Sequence, residues 1–171
     1  MAMLNDWAGS WQLVPQRSEV TFRSPTMWGL AKVKGTFTQL DGAGEVKAPD
    51  AVDGRLHIHA ASVSTGIRKR DEHLRSADFF DVAEHPTIDV VVHGKGATTT
   101  DSVELHAGVT IRGVERPVDL QVDVGELPVG AVRVTARAEI DRGEFGVDGN
   151  LIGMMGDITR VEATAVFVKQ S

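Results

Sequence analysis

The chain has 171 residues, 42% of them hydrophobic, enough for one domain with a core of its own. A formal net charge of −6 excludes a nucleic-acid surface, which needs concentrated Lys and Arg, and electrostatic docking on an anionic membrane. The absence of cysteine excludes disulfides and thiolate metal sites, and with only 5% aromatics and no Tyr the core must be built of Val, Ala, Leu and Ile.

Residues 1–9 read as a flexible or short helical lead-in to a single domain spanning 1–171. They lack the basic and apolar regions of a signal peptide, and no apolar run reaches the roughly 18 residues of a membrane span. The expected location is therefore cytoplasmic, with no stable membrane insertion. Trp7 and Trp11 share a face if the lead-in is helical; otherwise Trp11 already belongs to the first strand. Two short strands follow at 10–15 and 18–24. In the second, Val20 and Phe22 alternate with Glu19, Thr21 and Arg23. Val33, Gly35 and Phe37 form one face of the next strand. Gly42 and Gly44 mark a hairpin turn, with a returning strand at 45–48.

Leu56, Ile58 and Ala60 alternate with Arg55, His57 and His59. Residues 61–86 then break the pattern. They carry a charged cluster, a helix-compatible run at 69–77 and the paired Phe79 and Phe80. Beyond Pro86 long alternations resume through Ile88, Val90 and Val92, then Val103 to Ile111. A turn is expected at 113–116, and further alternations run through Val118 to Val124, Val132 to Ile140 and Val161 to Phe167. The second irregular stretch, 141–157, is rich in Gly and Met. Roughly eight to ten strands joined by short turns predict an all-β antiparallel sandwich or closed barrel. Small inward residues such as Gly35, Ala107, Ala136, Ala138, Ala163 and Ala165 leave room for a cavity inside an eight-stranded barrel, or else face larger partners and fill the core.

Two groups invite a chemical reading. Asp71 and His73, with Glu84 or His85, could form an acid–base or metal-assisted hydrolytic site. No nucleophile elbow accompanies them, and a short helix held by ion pairs is the simpler reading. His57 and His59 share one strand face, a spacing that suits zinc, yet no third ligand has an evident spacing and a surface pair is the default. Catalytic and metal residues are therefore both assigned as none, and no cofactor is expected.

The chain resembles the YceI-like family of polyisoprenoid-binding, lipocalin-like proteins. The resemblance is carried by Gly35-Thr36-Phe37, Ala61-Ser62-Val63-Ser64-Thr65-Gly66, Arg70-Asp71-x-His73-Leu74 and Ser76-x-Asp78-Phe79-Phe80-Asp81-Val82. It continues in Val109-Thr110-Ile111-Arg112-Gly113-Val114 and in Arg142 with Phe145-Gly146-Val147. The resemblance implies an extended eight-stranded antiparallel barrel with one short helix within 66–80. It also implies non-catalytic binding of a polyisoprenoid or isoprenoid quinone-like lipid for carriage or storage. Homodimers and a link to stress response follow from the resemblance alone. The chain departs from the family pattern at Thr26, where many relatives place a His, and Trp28 could replace it as a lid or packing residue. The expected tunnel lining is Phe22, Val33, Phe37, Leu56, Ile58, Val90, Leu105, Val109, Leu120, Val134, Ala136, Phe145, Ala163 and Phe167. Arg70, Asp71, His73, Leu74, Phe79 and Phe80 are expected to brace one end.

Overall fold

The computed structural model describes residues 7–25, 32–47, 51–95, 97–98, 102–147 and 158–170. The expectations for residues 1–6, for Thr26 and Trp28, and for the Gly- and Met-rich run 148–157 lie outside the described residues.

Period-two alternation becomes strands, as side chains on successive strand residues point to opposite faces. The elements are β1 (Gly9–Leu13), β2 (Glu19–Pro25), β3 (Lys32–Phe37), β4 (Leu40–Lys47), β5 (Ala51–His59), β6 (Val63–Ser64) and α1 (Arg68–Arg75). They continue with β7 (Thr87–Lys95), β8 (Ala97–Thr98), β9 (Val103–Ile111), β10 (Val114–Leu127), β11 (Ala131–Asp141) and β12 (Ile158–Lys169). In β9, Val103, Leu105, Ala107, Val109 and Ile111 are buried while Glu104 and His106 are exposed. The eight strands β1, β4, β5, β7, β9, β10, β11 and β12 pair in that order, and β12 pairs back with β1. Every pairing is antiparallel, so the ring is a closed barrel.

β12 serves two partners. Its C-terminal part pairs with β1 (Leu13 opposite Phe167), and its N-terminal part with β2 (Phe22 opposite Val161). The chain steps between them through a 3-10 turn at Pro15–Arg17. Ser18 seals this step from a buried position: its hydroxyl donates to the Val14 carbonyl (2.8 Å) and accepts from the Val166 amide (3.1 Å). From β2 the wall continues through β3 to β6. At this end α1 packs beside β6 and completes the enclosure.

Two turn assignments are corrected. Gly42 and Gly44 do not turn the chain; they lie inside β4, opposite Leu56 and Gly54 of β5. A Cβ on Gly42 would lie 2.6 Å from the Arg55 carbonyl oxygen, so glycine here serves close backbone approach. The turn expected at 113–116 is the two-residue Arg112-Gly113 instead, with φ of 52° and 75° between the paired Ile111 and Val114. Both central residues at positive φ make it a type I′ hairpin, whose twist matches the strands. β10 therefore begins at Val114 and carries Pro117 within it. Among the described residues, no helix is long and apolar enough to cross a membrane.

Candidate ligand-binding lumen

The barrel interior holds two apolar cavities. One, of about 200 Å³, lies at the end away from α1. Leu56, Val90, Leu105 and Leu120 line it, with Val134, Ala136 and Phe167 from the last strands. The other, of about 130 Å³, lies at the helix end and is lined by Phe22, Phe37, Ile58, Val90, Val109, Leu120 and Phe145. Val90 and Leu120 belong to both walls, so the cavities meet there. Together they reach the low end of the range for small-molecule sites, roughly 300–1,000 Å³. Val33 and Ala163 line neither: Val33 is buried in the core, and Ala163 packs between Ala136 and Val20 of the neighbouring strands.

The helix end is closed by the segment carrying the charged motif. The Asp71 carboxylate is buried and accepts from the Thr65 amide (2.7 Å) and hydroxyl (2.6 Å). Arg70 donates to the Thr65 hydroxyl (2.8 Å) and carbonyl (3.1 Å). Arg75 reaches the carbonyls of Ala61 and Val63, both at 3.0 Å. These bonds fasten α1 to the strand before it and turn Leu74 inward, 1% exposed. Phe79, fully buried, sits edge-on to the His73 ring at 5.1 Å. Phe80 meets Phe37 edge-on at 5.5 Å, and Phe37 in turn meets Phe22. From the other side Arg112 donates to the carbonyls of Ala77 and Phe79, tying the β9–β10 turn to this plug.

The residues of the catalytic alternative do not converge. Asp71 is committed to Thr65, while the His73 imidazole pairs with Asp78 at 3.1 Å. Neither lines either of the two interior cavities, nor do Glu84 and His85. His57 and His59 likewise turn to different carboxylates, Asp89 at 2.7 Å and Asp41 at 3.4 Å. Among the described residues, no group of three or more His, Asp or Glu is placed to hold a metal ion. His106 pairs with Asp119 at 2.6 Å on the outer face; that hydrogen bond first, then the carboxylate's charge, raises the imidazole pKa above its ordinary value.

A larger groove of about 850 Å³ runs along the outside of β10, β11, β12 and β2. Two of its arginines are engaged across strands: Arg137 with Asp123 (2.7 Å) and Glu162 (3.1 Å), and Arg160 with Glu139 (3.6 Å). Such exposed pairs are a solvated face and contribute little each.

Sequence reasoning missed several wall residues. Val103 and Val122 were legible from the period that carries Leu105 and Leu120. Trp7 and Arg142 were not, because each lies outside a strand. Arg142 is buried at the end of β11, where its guanidinium donates to the Val147 carbonyl at 2.7 Å and holds the following turn.

Residues 11–167 match the family model of the YceI-like domain. A UPF0312 protein of Azotobacter vinelandii is 30% identical over 130 residues, covering 72% of this chain and 68% of the relative. Protein YceI of Escherichia coli O157:H7 is 32% identical over 129 residues, covering 72% and 66%. Among solved structures, Burkholderia cenocepacia BcnA superposes with a TM-score of 0.80 at 19% identity, covering 90% of this chain and 98% of that one. A polyisoprenoid-binding domain from Saccharophagus degradans gives 0.76 at 20% identity, covering 94% and 98%.

Proposed function

Because the chain belongs to the family of YceI-like domains, we propose that it binds a long isoprenoid-type lipid inside its barrel, as a carrier or store and without catalysis. The observation that carries this reading is the pair of apolar cavities that meet at Val90 and Leu120, one behind the other along the lumen. The polyisoprenoid-binding description of the Saccharophagus neighbour supports it.

The energetics favour a chain over a compact ligand. Burying a five-carbon isoprene unit contributes up to about 3–4 kcal/mol, taking about 0.8 for each buried carbon group. Association costs on the order of 4–15 kcal/mol before a flexible chain is ordered. Several units in line are needed for a net gain, which suits two cavities in series better than one pocket. A non-catalytic role is supported by the separation of Asp71 from His73, each held by a different partner, and by their absence from the cavity walls.

Native mass spectrometry of the purified protein, followed by solvent extraction, tests the reading. We expect a bound species carrying the mass of one isoprenoid-type lipid. Lipid-free protein whose melting temperature does not move with added polyprenol would sink it.

A further inference from the structure

We infer that ligand enters and leaves the lumen sideways, through a portal in the barrel wall where β10 and β11 part, with the Phe145 ring as its stopper. The inference rests on the lipid-binding reading above and adds the route by which that site is filled.

β10 and β11 pair from Leu127 opposite Ala131 to Gln121 opposite Arg137, and there the ladder between them stops. Both strands run on. β10 from Val114 to Leu120 stays paired with β9, and β11 from Ala138 to Asp141 stays paired with β12. The sequence explains why they part. Ile111 and Val114 close a two-residue hairpin, so they exchange both backbone bonds, and bonded and non-bonded pairs alternate from there. Pro117 opposite Gly108 is a non-bonded pair by that count. Its nitrogen therefore faces β11, where proline has no N–H to donate. The same register would next set Asp119 opposite Glu139, and like charges directly opposite repel. Each carboxylate turns to another strand instead, Asp119 to His106 on β9 and Glu139 to Arg160 on β12.

The outer groove and the helix-end cavity lie back to back at this parting. Val118, Ala138, Ile140, Phe145 and Val161 line both, so a single layer of apolar side chains separates outside from inside. The other four sit on strands, but Phe145 belongs to a lone 3-10 turn, Arg142–Phe145, that packs against β10. Its ring is buried between the two spaces. Gly143 precedes it and Gly146, at φ 71°, follows it, so the backbone on either side is free to pivot. The ring swings out without breaking a ladder bond. α1, by contrast, is bolted down through Asp71, Arg70 and Arg75, and opening that end breaks all of those bonds.

The chain has no cysteine, so introduced thiols pair only with each other. Asp119→Cys with Glu139→Cys puts two on the rim of the parting. They are joined by oxidation where their Cα atoms come within about 7 Å, and by a short bis-methanethiosulfonate linker otherwise. Both positions are exposed and the ion pairs lost there contribute little, so the variant is expected to fold. Asp123→Cys with Thr135→Cys, a pair within the ladder, is the control. The probe is all-trans-retinol, an isoprenoid alcohol whose fluorescence reports shielding from water, followed by stopped flow in both directions. Closing the portal staple should slow association and release alike, by about tenfold or more, and leave Kd within about twofold, because a route changes rates and not end states. Dithiothreitol should restore both rates, and the control staple should change neither. Phe145→Leu thins the stopper and should speed release by about threefold or more. Rates that the portal staple leaves unchanged, equal slowing by the control staple, a weaker Kd with unchanged association, or release no faster in folded F145L overturns the inference while leaving the lipid-binding reading intact. Failure of the wild type to bind retinol overturns both.

Discussion

Val129 stands at φ 63° in the turn between β10 and β11, with its side chain 99% exposed. A β-branched residue in the left-handed region crowds its own backbone, at roughly 1–2 kcal/mol, and this one gains nothing from burial in return. Val129→Asn should relieve most of that cost, because Asn tolerates the region. The expected gain is about 1 kcal/mol, a rise in melting temperature of about 2–4 °C, read by calorimetry; an unchanged or lower midpoint would contradict the strain. Gly35 shows the opposite economy. A Cβ there would lie 2.3 Å from the Phe22 ring across the β2–β3 pair, so glycine is what lets that ring lie flat against the wall. The alternation of Val33, Gly35 and Phe37 was visible in the sequence, whereas the ring over Gly35 depends on which strand pairs beside it.

At the scale of elements, α1 has eight residues, too short to be stable in isolation. Its N-terminal flank, Ile67, supplies no side-chain cap. Bonds to the segment before it hold it instead: Asp71 and Arg70 on Thr65, and Arg75 on the carbonyls of Ala61 and Val63. Removing the buried carboxylate leaves the Thr65 amide and hydroxyl without their acceptor. Asp71→Ala should thus lower stability by about 2–3 kcal/mol, the scale of hydrogen bonds to a charged group plus the stranded donors. A urea titration checks this: the midpoint should fall with an unchanged slope. A midpoint equal to wild type, with lipid still bound, would show that the motif does not brace the barrel. The charge-rich sequence of this segment suggested chemistry; its partners in the fold make it a plug.

Considered whole, the molecule is a closed wall around two neighbouring cavities, and Leu120, with Val90, lies on the wall of both. Leu120→Trp should divide the lumen. Overpacking of this kind costs typically 1–3 kcal/mol, so the variant is expected to fold. It should lose affinity for a long polyprenol by at least tenfold while retaining a chain short enough for one cavity, measured by titration of delipidated protein. Equal loss for both lengths, or no loss for either, would mean that the cavities do not act in series. The sequence by itself determined the long alternating strands and the inward set that includes Leu105, Val109 and Leu120, because side-chain direction along a strand is a local property with a period of two. It did not reveal that Gly42 and Gly44 lie within a strand or that β12 divides its edge between β1 and β2. Those are decided by which backbones come to lie side by side when the sheet closes, and spacing along one chain carries no record of what stands opposite.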